Sequence, residues 1–288
     1  MPTKRIIPLN KIEGVSAGGT ATIDLPTNVR YHGICLEYDT DTAGGATEAN
    51  METEITEVRV NVNQVTQRKA SSAQIFDINR TKGRTPTVGD GTASGYIPLF
   101  FSEPQRKTQL EAEATAWGML GVSDLQIEVD IANNSGQTPV LKGFAVVDDV
   151  QEAPKGIVKW KRNTLTISAT GETPFSLSTE GGDSYQGLYF FESSNGDINE
   201  LLLEWDGVKI YQLDEYREDA FIAQFMEGYT KVSACNHVPL DGGHPADALR
   251  TIKDVNGQRV KVQELIATLN MGAANNVTLI SELVGLPD

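Results

Sequence analysis

Along this chain apolar side chains recur at every second position more often than at helical spacing, as expected of strands with one buried face. Val58, Val60 and Val62 keep a strict period of two, and Thr20–Leu25 approximates it. Further strands are expected at Tyr96–Phe101, Leu125–Ile131, Val140–Val147, Leu188–Phe191, Leu201–Trp205 and Val277–Leu283. Between them, Asp39–Ala46, Gly83–Gly95 and Asp241–Ala246 are rich in Gly, Asp and Thr and read as loops. Helical spacing is confined to short stretches. Leu110, Ala114 and Trp117 fall at i, i+4 and i+7 within Thr108–Trp117. Tyr216, Ala220 and Ala223 do the same within Asp214–Phe225, beside Phe221 and Phe225. Val262–Leu269 fits either period.

The chain also repeats itself in order. Thr20-Ala21-Thr22-Ile23 is echoed by Thr164-Leu165-Thr166-Ile167, and Tyr31-His32-Gly33-Ile34 by Tyr185-Gln186-Gly187-Leu188. Ile55–Val62 is echoed by Ile198–Trp205, and Asp124-Leu125-Gln126-Ile127 by Asn276-Val277-Thr278-Leu279. Each offset is close to half the chain, far longer than the roughly 20–50 residues of solenoid or propeller repeats. Two copies of a whole β-domain are expected, residues 1–150 and 151–288, joined at the polar Asp148–Lys155 stretch. About eight strand-length segments per half suit a jelly roll of two sheets with Greek-key connections. An immunoglobulin-like sandwich usually needs only about 100 residues. The expected fold is all-β: two tandem jelly rolls with a few short helices in loops.

Composition narrows the function. Of 288 residues, 39% are hydrophobic and 27 are glycine, enough for a core of ordinary size. Lys and Arg number 24 against 39 Asp and Glu, a net charge of −15 that argues against binding bare nucleic acid. No run approaches the ~20 apolar residues of a membrane-spanning helix. Met1–Pro8 carries Lys4 and Arg5 but no apolar core, so no signal peptide is expected there. Two cysteines, Cys35 and Cys235, are too few for a disulfide framework and are expected to be buried thiols.

The search for chemistry finds no His-Glu-x-x-His, phosphate-loop or Cys-x-x-Cys motif. Gly89–Gly95 has the wrong glycine spacing for a dinucleotide loop. His237, Asp241, His244 and Asp247 have the right chemistry for a divalent metal, but Pro239, Gly242, Gly243 and Pro245 break any helix that would align them, so an exposed loop is expected. Cys235 beside His237 lacks a discernible orienting group or oxyanion site. Asp39-Thr40-Asp41 with Gly44 begins like a calcium loop, but Asn50 stands where that loop needs Glu. Asp214, Glu215, Glu218 and Asp219 read as a solvated helix face, and Lys155, Lys159, Lys161 and Arg162 as a basic linker around Trp160. No catalytic or cofactor-binding residue emerges, metal ligands stay unassigned, and a structural or binding protein is expected.

The chain resembles the double jelly-roll major capsid proteins of lipid-containing icosahedral bacteriophages of the corticovirus type. The resemblance runs through Ile12–Leu36, Ile55–Val62, Met119–Ile131, Trp160–Asn163 and Ile198–Phe225, with longer loops at Asp39–Thr53 and Thr81–Ser94. It implies a virion shell protein and a trimer whose six barrels make a pseudo-hexagonal tile around an internal membrane. Its implied partners are further copies of itself and vertex and membrane-associated proteins, without direct contact to nucleic acid. Structural divalent cations such as calcium are expected between trimers, with candidate clusters at Asp39/Asp41, Asp148/Asp149 and Asp214–Asp219. Lys4 and Arg5 are expected either in a strand or arm packed on a neighbouring subunit or at lipid headgroups. The competing reading is a carbohydrate-binding or receptor-binding β-sandwich, which would need exposed aromatic platforms, and only Trp117, Trp160 and Trp205 are present.

Overall fold

The computed structural model describes residues 4–9, 11–40, 46–87, 94–133, 138–226, 228–242 and 247–288. Two compact units divide the chain. Met1–Arg80, Arg84–Trp160 and Leu286–Asp288 form the first, and Thr81–Gly83 with Lys161–Gly285 the second.

In the first unit the elements are β1 (Arg5–Pro8), β2 (Ile12–Glu13), β3 (Thr20–Asp24), β4 (Arg30–Thr40), α1 (Glu48–Glu54), β5 (Ile55–Val62), β6 (Val65–Ala70) and α2 (Ser72–Thr81). They continue as β7 (Gly95–Phe100), α3 (Gln109–Glu113), β8 (Trp117–Gly118), β9 (Leu125–Ile131), β10 (Pro139–Asp148) and the start of β11 (Ile157–Leu165). Leaving aside β2 and β8, eight strands precede β11. One sheet runs β1-β10-β4-β7 and the other β3-β9-β5-β6. In order of appearance these are strands 1-8-3-6 and 2-7-4-5, the arrangement of a jelly roll. Ile34, Leu36, Ile97, Leu99 and Ala145 of the first sheet are buried, as are Ala21, Ile23, Val58, Val60, Ile127 and Val129 of the second.

The second unit holds the rest of β11, then β12 (Gly171–Ser176), β13 (Ser184–Phe191), β14 (Ile198–Trp205), β15 (Val208–Asp214), α4 (Glu215–Phe225) and β16 (Cys235–Pro239). The short β17 (Leu249–Arg250), β18 (Ile252–Val255) and β19 (Gln258–Lys261) lead to β20 (Leu265–Met271) and β21 (Val277–Gly285). Its sheets run β11-β21-β13-β16 and β12-β20-β14-β15, again 1-8-3-6 and 2-7-4-5. Leu188, Phe190, Leu201, Leu203, Leu269 and Leu279 belong to one core cluster between them. Proline obeys the sheet order, because it cannot donate to a ladder. Pro8, Pro98, Pro174 and Pro239 lie on the edge strands β1, β7, β12 and β16, and Pro139 opens β10.

The repeat is therefore real, but its sequence traces are of two kinds. Ile55–Val62 and Ile198–Trp205 are both fourth strands, and the Tyr31 and Tyr185 segments are both third strands. The other two pairs are one strand out of step. Thr20–Ile23 lies in a second strand, whereas Thr164 and Leu165 end a first strand. Asp124–Ile127 leads into a seventh strand and Asn276–Leu279 into an eighth. Alternation marks any half-buried strand and does not say which one.

Four helices occur among the described residues. α4 matches expectation, with Asp214 as its N-cap accepting from the Arg217 amide. The helix expected over Thr108–Trp117 is only α3. Trp117 instead sits in β8, fully buried with its ring 4.4 Å from that of Phe101, while Leu110 is 85% exposed. Val262–Leu269 resolves largely into strand β20. The pattern gave no sign of α1 and α2. The first offers one buried apolar residue, Met51, and the second carries Asp77, Asn79 and Thr81, weak helix formers that packing overrides.

One buried cation organises the first unit. The Arg68 guanidinium on β6 lies over the rings of Phe101, Trp117 and Trp160, 4.7–5.1 Å from their centroids. It also donates to the carbonyls of Val158 at 2.7 Å and Phe100 at 2.6 Å. Truncation would leave two carbonyls short of a donor and a hole among three rings. Arg68→Ala is expected to cost about 3 kcal/mol or more of unfolding free energy, measured by urea titration, and Arg68→Lys to recover only part of it.

Candidate functional site

The densest group of ionisable side chains lies where β4 meets the end of β10. The register pairs Arg30 with Asp148, and the buried Arg30 grips that carboxylate through Nε at 3.1 Å and Nη2 at 2.6 Å. His32 Nε2 lies 2.8 Å from the same carboxylate, and the Val150 amide donates to it at 3.0 Å. Arg30 reaches further to Glu152 at 3.0 Å and Glu113 at 3.4 Å, and Lys4 pairs with Glu113 at 3.0 Å. Burial pushes the Asp148 carboxyl up, but the hydrogen bonds from Arg30, His32 and Val150 outweigh this and hold it at about 2. Burial also lowers the His32 pKa, so its ring is neutral near pH 7.

A histidine oriented by a carboxylate is half of a nucleophilic triad, but the other half is missing. The Ser102 hydroxyl donates to the His32 backbone carbonyl and not to its ring. Burial raises the Cys35 thiol to about 11, which keeps it protonated. Asp148 gives most of its hydrogen-bonding capacity to Arg30. The cluster holds the end of β10 against β4.

The metal candidates separate. His237 is not in an exposed loop. It is a buried residue of β16, stacked between Tyr189 at 4.4 Å and Tyr229 at 5.2 Å, and burial lowers its pKa to about 4. Asp241 is buried and accepts from Gln186 at 3.4 Å, Asp247 is exposed, and His244 lies outside the described residues. Asp39 belongs to β4 and Asn50 to α1, while Asp41 and Gly44 lie outside the described residues. Glu218 does not face solvent. It is buried, pairs with Lys231 at 2.6 Å and accepts from the His237 amide at 2.9 Å. Among the described residues no three His, Cys, Asp or Glu side chains gather as metal ligands.

Two more expectations need correction. Lys159 and Trp160 are not linker but buried residues of β11, and the Lys159 ammonium bonds the Leu286 carbonyl at 2.9 Å and Asp288 at 2.8 Å. Cys235 is buried, whereas Cys35 is only half-buried. Lys4 precedes β1 and Arg5 opens it; the strand pairs with β10 of its own chain, where a neighbouring subunit was expected, and Arg5 reaches Asp149 at 2.6 Å. Trp117 and Trp160 are buried, and half-buried Trp205 carries the Lys253 ammonium over its ring.

What remains open is an apolar trough on the outer face of the β1-β10-β4-β7 sheet. Two adjoining grooves of about 340 and 440 Å³ share Cys35, Pro98, Phe100 and Phe144. Alternation pointed to the inward partners of these residues and gave no hint that the outward set is also apolar.

Models of two consecutive protein families match the chain. The viral coat protein P2 N-terminal domain covers residues 6–148, and the viral coat protein P2 C-terminal domain covers 157–287. The chain belongs to the viral coat protein P2 family. The major capsid protein P2 of bacteriophage PM2 is similar over 98% of this chain and 97% of its own, with 19% identity and a TM-score of 0.81. A chain of the Sulfolobus Turreted Icosahedral Virus is similar over 99% and 91%, with 13% identity and a TM-score of 0.69. One from the PBCV-1 virus capsid is similar over 99% and 94%, with 11% identity and a TM-score of 0.64. A comparison with curated proteins found no match. This coat protein is a structural component of the virion capsid, built as a double jelly roll.

The Asp148 cluster is expected to make the coat protein acid-sensitive in a defined window. The carboxyl is held at about 2 when folded, against 3.8 ordinarily, so its contribution is present above pH 4 and lost as pH falls toward 2. The difference corresponds to about 2 kcal/mol. His32 adds to it, because its lowered pKa makes stability decline as pH falls below 6.5. Asp148→Asn is expected to lower stability at pH 7 and flatten the decline between pH 4 and 2, as read from denaturant midpoints.

Proposed function

We propose that three copies of the coat protein form a flat capsomer whose six jelly rolls make a pseudo-hexagonal tile. Such tiles cover an icosahedral shell around an internal membrane, with vertex and membrane-associated proteins as further partners, and the chain performs no catalysis. One observation carries the reading: both halves, about residues 1–150 and 151–288, repeat one strand order, so a chain supplies two equivalent barrels and a ring of three supplies six. The protonated Cys35 thiol and the hydroxyl of Ser102, turned to a backbone carbonyl, support the absence of a nucleophile. Burial of Trp117 and Trp160 speaks against a sugar platform.

Sedimentation at micromolar concentration is expected to return three times the 31.2 kDa chain mass, and images of the particles a hexagonal outline. A mass of 31.2 kDa, or a melting temperature raised by sugars, would overturn the reading.

Divalent cations such as calcium belong to the same proposal. Each chain carries −15, so neighbouring capsomers repel, and hard cations relieve carboxylate repulsion. Chelation at low salt is expected to loosen assembled shells while each barrel keeps its unfolding midpoint. Shells whose sedimentation survives prolonged chelation would refute it.

A further inference from the structure

Helix α4 turns an apolar stripe away from its own unit. At 100° per residue its buried positions, Glu218 and Ile222, lie roughly opposite Tyr216, Ala220 and Ala223. Tyr216 is 85% exposed. The helix in the same topological place in the first unit, α2, buries Ile75, Phe76 and Ile78. The outer sheet faces differ in the converse way. In the second unit Tyr189, His237 and Glu282 are buried, with Lys82 bonded to Glu282 and Tyr229 stacked on His237. In the first unit the corresponding face is the open groove floored by Pro98, Phe100 and Phe144.

We propose that α4 of one copy lies across the first-unit groove of the next copy, a helix-on-sheet contact that closes the capsomer ring. This rests on the trimer reading and names its contact surfaces. The two surfaces are different, so copies join head to tail and can close a ring of three, which a self-complementary patch cannot. Ala220 and Ala223 let the helix backbone approach the sheet, and Tyr216 is a rigid aromatic anchor of the kind enriched at interface centres. Charge also matches. The groove is edged by Arg84, whose guanidinium lies 5.4 Å from the Phe100 centroid, in a chain with a net charge of −15. The helix brings exposed Asp219, 3.9 Å from Lys231, to the edge of the stripe, while its Arg217 is drawn back to Asp214 at 3.3 Å.

Tyr216→Glu and Ala223→Glu on the helix and Phe144→Glu in the groove are each expected to weaken trimer association tenfold or more in sedimentation. The helix variants should leave circular dichroism and the monomer's unfolding midpoint unchanged. Arg84→Glu should weaken association as well, and Asp219→Arg should restore it in the double variant. A photo-cross-linking residue at 216 should capture peptides spanning 96–100 or 142–146 of another copy, a readout independent of any loss of folding by Phe144→Glu. A wild-type chain sedimenting at 31.2 kDa refutes the trimer reading and the docking with it. A wild-type trimer unaffected by both helix variants, or cross-linked from 216 to other segments, refutes the docking alone.

Discussion

Each barrel depends on pairing its first strand with its last. In the first unit β1 lies antiparallel to β10, Arg5 opposite Val147 and Pro8 opposite Phe144. In the second, β11 and β21 are neighbours in one sheet. More than a hundred residues separate the members of each pair, and bringing such distant ends together carries a loop-closure entropy that local contacts cannot offset. What offsets it is the apolar interior that closure seals: with the 1-8-3-6 sheet over the 2-7-4-5 sheet, alternate side chains of strands such as β4, β9 and β20 lose contact with water.

The charged clusters make sense as reinforcement of that seam. Arg5 reaches Asp149 just beyond β10, and Lys4 reaches Glu113, which is also within reach of Arg30. Arg30 then clamps Asp148, the last residue of the eighth strand, onto the third. Exposed pairs such as Arg5–Asp149 contribute little. The Arg30–Asp148 pair is different, because both partners are buried and removing one would strand the other's charge. A buried ion pair adds less stability than a well-packed apolar one would, but it fixes register, and a one-residue slip of β10 would expose its inward face.

The inward half of each sheet was legible in the sequence, because burial of one face imposes alternation: Leu125–Ile131 is recovered residue for residue as β9. Strand identity was less legible, since by pattern Thr20–Ile23 pairs with Thr164–Ile167 at the end of a first strand and not with its second-strand counterpart β12. Helices were least legible. In Thr108–Trp117 the spacing of Leu110 and Trp117 mimics a helical face, yet Trp117 is recruited by Phe101 and Arg68, residues distant in sequence. The candidate sites failed for the same reason. His237 and Glu218 look like loop and surface residues until β16 and α4 bury them side by side. Trp160 and Arg68, which hold the first unit together, carry no local signal because their partners come from four segments.

A coat protein must stay dissolved as single chains and then adhere as an assembly, and these demands conflict on one surface. The net charge of −15 answers the first by keeping copies apart at distances within the screening length. It also limits where adhesion can arise, because an apolar contact ringed by carboxylates on both sides would bury like charges against each other. Adhesion is therefore confined to places where the acidic surface is interrupted. The trough over Phe100 and Phe144 is such a place, having Arg84 at its edge. The stripe on α4 is another, where Ala220 and Ala223 separate the acidic side chains. The outward rings of Phe100 and Phe144 and the Tyr216–Ala223 stripe lie outside the buried cores of their own barrels. The duplicated fold supplies two closed barrels of one order, and the differences between them, an exposed helix on one and an uncovered sheet face on the other, are the asymmetry that the proposed head-to-tail contact would use.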